Sequence, residues 1–93
     1  MVSISSYYGN SASAENNAKV VRVNGATFYF SYETLVAVNA GEGTKVIKNY
    51  WGPTTGKHLN AIDGGDKEAK ANRMDTDEFD AYVEHIKVRA EMV

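Results

Sequence analysis

Asn24-Gly25 lies between two runs rich in β-branched and aromatic residues, Lys19 to Val23 and Ala26 to Tyr32. A two-residue I′ loop needs positive φ at both positions, and Asn-Gly satisfies that need. Such a loop pairs Val23 with Ala26, Val21 with Phe28 and Lys19 with Phe30. These six side chains share one face. Arg22, Thr27, Tyr29 and Ser31 take the other with Val20. Register and polarity agree, so Val21, Val23, Phe28 and Phe30 are the expected core of this hairpin.

The hairpin sets the pattern for the next two segments. Thr34 to Asn39 reads as a third strand and Thr44 to Trp51 as a fourth, with Gly41-Glu42-Gly43 as the turn between them. Leu35-Val36-Ala37-Val38 is apolar on both faces, as expected of a strand covered on both sides. Connections this short favour an antiparallel meander. After Pro53 the period changes. Thr54 or Thr55 is placed to cap a short helix, on which Leu59 and Ile62 share one side. Gly64-Gly65 ends it. Asp63 to Asp75 is polar and reads as a loop or frayed turn. Asp75 and Glu78 then resemble a capping box. Phe79, Tyr82, Val83, Ile86, Ala90 and Val93 recur at helical spacing.

The expected fold is therefore α+β. A four-stranded antiparallel meander carries a C-terminal amphipathic helix on one face and a short 55–62 helix at an edge. Ninety-three residues make one domain. Residues 1–17 are rich in Ser, Asn and Ala and read as a flexible N-terminal arm. Tyr7-Tyr8 is the exception, a pair able to stack on the body or on a partner. Residues 18–93 form the folded unit.

Composition narrows the function. There is no Cys, hence no disulfide and no thiolate metal site. No apolar run approaches the roughly 20 residues that span a bilayer. Met1 to Ala14 lacks the basic start and apolar block of a signal peptide. A cytoplasmic location is expected. Residues 1–60 carry five Lys/Arg against three Asp/Glu, and residues 61–93 carry five against nine. A mildly basic body with an acidic tail does not suit a protein that grips nucleic acid mainly through its phosphates.

No catalytic, cofactor or metal set assembles. Gly52-Pro-Thr-Thr-Gly56-Lys57-His58 imitates a phosphate-binding loop. It has one residue too few between its glycines, and His58 stands where Ser or Thr is required. A helix start with Lys57 nearby still offers a simple anion contact. His58 and His85 have no zinc-ligand spacing. Asp63, Asp66 and Glu68 fail the calcium ladder because Gly64 and Gly65 interrupt it. The chain reads as a non-enzyme without cofactors.

Two surfaces offer recognition. One is the corner formed by Trp51, Thr54, Thr55, Lys57, His58 and Asn60. The other combines Tyr29 and Tyr50 with Arg22, Lys45 and Lys48 as a stacking platform for single-stranded bases, to which Tyr32 and Trp51 also contribute.

The blocks Ser31-Tyr32-Glu33-Thr34-Leu35-Val36-Ala37 and Trp51-Gly52-Pro53-Thr54-Thr55-Gly56-Lys57-His58-Leu59-Asn60 carry a resemblance. The segment from Phe28 to Ile62 resembles a family of small uncharacterised proteins found in tailed bacteriophages and related bacterial elements. The pattern Trp-x-x-Thr-Thr-x-Lys-His-Leu-Asn is its more specific part. The resemblance implies a phage-type protein acting inside a bacterial host cell. By analogy with small phage proteins that lack catalytic motifs, it implies binding to, and modulation or inhibition of, a host or defence protein. The alternative is an accessory protein that binds single-stranded nucleic acid. An unpaired edge strand also offers a route to a homodimer.

Overall fold

The computed structural model describes residues 2–6, 18–23 and 25–89. The hairpin has the register that its loop dictates. In β2 (Ala18–Val23) and β3 (Ala26–Ser31), Val23 pairs with Ala26, Val21 with Phe28 and Lys19 with Phe30. Gly25 has φ +83°, a conformation that glycine adopts without a Cβ penalty. Asn24 lies outside the described residues.

β4 (Thr34–Asn39) and β5 (Thr44–Val46) continue the antiparallel meander. A further strand, β1 (Val2–Ser6), pairs antiparallel with β2 at the opposite edge, so the sheet runs β1-β2-β3-β4-β5. This strand falls in the segment read from composition as an arm. Its register sets Val2 opposite Val23 and Ile4 opposite Val21. Two apolar residues among serines give too short an alternation to register as a strand. Residues 7–17 of that segment, with Tyr7 and Tyr8, lie outside the described residues.

β5 is shorter than the expected Thr44–Trp51 strand. Beyond Val46 the chain engages the segment around Met74 instead. Met74 N–H donates to the Val46 carbonyl at 2.8 Å, Lys48 N–H donates to the Met74 carbonyl at 2.8 Å, and Ile47 bridges Met74 in parallel. That strap closes the end of β5, where the Val46 carbonyl would otherwise be an open backbone group.

The described residues also form three helices: α1 (Pro53–Asp63), α2 (Lys67–Ala71) and α3 (Thr76–Arg89). α1 lies against β4 and β5, at the sheet edge as expected. α2 forms where a loop or frayed turn was expected. Asp66 caps it by accepting from the Ala69 N–H at 2.8 Å. Asp75 caps α3 in the same way, accepting from the Glu78 N–H at 2.9 Å.

Val36, Ala37 and Val38 are all fully buried. Consecutive strand residues point to opposite faces, so β4 is enclosed on both sides. A register shift at Tyr29/Phe30 skips Val36, which has no partner across the ladder. Phe28, Val36, Val38, Val46 and Ile47 form one core with Leu59 of α1 and Phe79, Val83 and Ile86 of α3. The hairpin's contribution differs from expectation. Phe28 is buried, but Val21, Val23 and Phe30 are only half-buried, while Ala18 and Val20 on the other face are closed off. Val20-Val21 is apolar toward both faces, so alternation alone does not say which side is interior. Ala90 and Val93, expected on the apolar stripe of α3, lie outside the described residues.

Two substitutions test this packing by urea unfolding. Leu59→Ala should cost about 2–5 kcal/mol, the usual penalty for a cavity at a sealed site. The Tyr82 hydroxyl is buried without a hydrogen-bond partner among the described residues. Tyr82→Phe should therefore leave stability unchanged or raise it by up to about 1 kcal/mol.

Candidate functional site

The turn from sheet to helix is built around Asn49. Its Oδ1 accepts the Trp51 N–H at 2.8 Å, and its Nδ2 reaches the Gly52 carbonyl at 3.4 Å. α1 then starts at Pro53 with Gly52 at the cap position, and no side chain caps it. Thr54 and Thr55 are therefore not caps, contrary to expectation. Pro at the first helical position has no N–H to satisfy and brings its φ already set. Gly56 leaves room for the same side chain: a Cβ there would sit 3.1 Å from Asn49 Nδ2, and the amide would have to shift by a few tenths of an ångström. Gly64, at φ +88°, closes the helix, its N–H bonding the Asn60 carbonyl at 2.8 Å.

Helical phase divides the six residues of the expected recognition corner. Trp51, Thr54, Lys57 and Asn60 are exposed. Thr55 and His58 turn inward and are 6% and 0% exposed. They meet Ser31 at the end of β3. Ser31 Oγ lies 2.9 Å from Thr55 Oγ1 and 2.7 Å from His58 Nδ1. This corrects their placement on the surface: the chain needs partners for a buried hydroxyl at the strand end, and α1 supplies them. A serine hydroxyl at this distance from imidazole has the spacing of a nucleophile and its base. Here the pair is sealed, and it works as a polar link between strand and helix.

Tyr32 stands above this link. Its ring centroid is 6.0 Å from that of His58, at a tilt of 47°, and half of the residue is exposed. Tyr32-Glu33 is the two-residue loop between Ser31 and Thr34. Tyr32 adopts φ +57°, and it is the sole non-glycine with positive φ among the described residues. A tyrosine held there costs roughly 1–3 kcal/mol of local strain.

The alternative platform does not assemble as one surface. Arg22 and Tyr29 share a face by register, but Lys45 pairs with Val38, whose partner Phe28 lies on the other face. Lys48 and Tyr50 are exposed beyond β5. Among the described residues, the exposed large apolar ones are Tyr32, Tyr50 and Trp51. Tyr50 and Trp51 meet edge to face, with centroids 6.0 Å apart. Among the described residues, no group of His, Asp or Glu is placed to hold a metal ion. No described helix is long and apolar enough to cross a membrane.

One constellation had no sequence signal. Arg73 is buried and bidentate to Asp63, with Nε to Oδ2 at 2.8 Å and Nη2 to Oδ1 at 2.9 Å. Nη2 also donates to Asn60 Oδ1 at 3.1 Å. Burial opposes the charge on Asp63. The hydrogen bonds from Arg73 and the Gly65 N–H, with the field of the guanidinium, outweigh it and hold the carboxyl below its usual 3.8. The clamp ties the C-terminal end of α1 to the segment entering α3. Asn60, although exposed, is committed to it.

The chain belongs to a family of unknown function, DUF8033, whose model matches residues 2–80. No curated protein and no solved structure matches it.

Asp63→Asn should cost about 3–5 kcal/mol, because Arg73 is left buried without its counter-charge. The depressed carboxyl also sets a sign. Its contribution is complete above the unfolded-state value and is lost as pH falls through the lower folded-state value. Stability measured from neutral pH down to below 3.8 should fall more steeply in the wild type than in Asp63→Asn.

Proposed function

With membership in that family as the premise, we propose that the protein is a small non-enzymatic binding protein of phage type. It acts in the bacterial cytoplasm by engaging a host or defence protein. The binding surface is the aromatic patch of Tyr32, Tyr50 and Trp51 around the first turns of α1, with Thr54 and Lys57 beside it. One observation carries this reading. Three large aromatic side chains stay in solvent, and one of them occupies a backbone conformation that tyrosine disfavours. Tyr and Trp dominate binding hot spots because they supply large contact area at small entropic cost. Strain held at a half-exposed tyrosine is consistent with selection for contact. The burial of Ser31 and His58 supports a role that makes or breaks no bonds. The resemblance of the Trp51–Asn60 block to tailed-phage proteins supports the setting.

A second reading has its own support. Lys48 and Lys57 are exposed in the same stretch as the Tyr50–Trp51 pair, and cations beside stacked rings suit single-stranded nucleic acid. Binding to an oligonucleotide that weakens steeply with salt would favour this reading over a protein partner.

The test is affinity capture from a bacterial host lysate with the full chain. The wild type should retain one protein at stoichiometric amounts, and Trp51→Ala and Tyr50→Ala should each weaken it by about tenfold or more, that is by at least 1.4 kcal/mol. Tyr32→Gly should separate the two properties of that residue. It should raise thermal stability by relieving the positive φ, and it should weaken capture by removing the ring. Absence of any stoichiometric partner, or turnover of a substrate by the purified chain, would overturn the proposal.

A further inference from the structure

The clamp at Arg73 leaves part of its guanidinium unused. Nε and Nη2 are committed to Asp63 and Asn60. Nη1, with two N–H donors, bonds no described residue. Arg73 is 8% exposed, and it lines a cleft of about 160 Å³ with Thr44, Val46, Asp63, Ala69 and Asn72. Two further donors border the cleft. Thr44 Oγ1 accepts from Asn39 Nδ2 at 3.2 Å, so its own O–H remains to be given. The Asn72 backbone N–H is spent closing α2, and its side-chain amide bonds no described residue. Val46 and Ala69 supply an apolar wall.

We infer that this cleft is a binding site for a single carboxylate group, held by Arg73 Nη1, Asn72 Nδ2 and Thr44 Oγ1 with its first carbons against Val46 and Ala69. A carboxylate offers about four acceptor positions, enough for the three donor side chains that line the cleft. Charge selects within the oxyanions. Asp63 already neutralises Arg73, so a dianionic phosphate meets an adjacent negative charge, whereas a monoanion bridges on the outer edge of the guanidinium. At about 160 Å³, the cleft has room for a short aliphatic acid or the carboxylate end of a peptide. This site is at the C-terminal end of α1, separate from the aromatic patch, and does not depend on the function proposed for that patch.

Two-dimensional amide NMR on the full chain tests it. The probes are propionate, a short peptide with a free C-terminal carboxylate, the same peptide amidated, and inorganic phosphate, all at matched ionic strength. Saturable shifts confined to residues around Thr44, Ala69, Asn72 and Arg73 are expected with a carboxylate probe. Propionate binding at least as tightly as the free-acid peptide assigns the site to small acids. Tighter binding of the free-acid peptide, with its amide inert, assigns it to a partner's terminal carboxylate. Asn72→Leu and Thr44→Val lie at exposed positions and should keep the wild-type spectrum elsewhere while weakening binding about tenfold. The inference is overturned if neither carboxylate saturates, if phosphate shifts the same residues equally, or if both variants bind like the wild type.

Discussion

The seat of α1 on the sheet depends on one buried polar contact. Ser31 is the last residue of β3, and its hydroxyl is shut away from water. A hydroxyl in that position needs partners, and losing them would leave a desolvation penalty of about 1–3 kcal/mol. Thr55 and His58 provide them from successive turns of α1. Apolar contact through Leu59 holds the helix against the core, but hydrophobic burial is non-directional and does not fix rotation about the helix axis. The Ser31 contact does. With Thr55 and His58 turned inward, Thr54 and Lys57 must face solvent.

The opposite end of α1 is fixed by charge. Arg73 reaches back to Asp63 and Asn60, and the backbone around Met74 straps the end of β5. A buried ion pair adds little net stability against an apolar replacement, but it is unforgiving of geometry. Its contribution here is positional: it determines where the polypeptide turns before α3. The same residue lines the neighbouring cleft. Structural clamp and candidate ligand site thus share one side chain, with different edges of the guanidinium assigned to each.

The features legible in the sequence obey local rules. Asn24-Gly25 implied the loop and, with it, the whole β2–β3 register. Asp75 three residues before Glu78 implied the start of α3, and Gly64-Gly65 implied the end of α1. Each depends on backbone geometry within a few residues. The features that escaped depend on pairings across the chain. Nothing in Asp63 to Asp75 distinguishes Arg73 from a solvated cation until the fold brings Asp63 beside it, ten residues away. Thr55 and His58 look like surface polar residues because their partner Ser31 is more than twenty positions distant. Val2–Ser6 is too short and too rich in serine to announce itself, and it becomes a strand only because β2 offers an open edge. Positive φ at Tyr32 was equally invisible, since loops of this kind favour Gly, Asn or Asp.

Display of Thr54 and Lys57 depends on the rotation of α1, and that rotation depends on Ser31. A double-mutant cycle between Ser31→Ala and His58→Leu, read by equilibrium unfolding, measures the contact directly. Coupling of about 1 kcal/mol or more is the result this structure requires. Additive single effects, with coupling near zero, would mean that the hydroxyl and the imidazole do not hold each other, and that this contact does not set the rotation of α1.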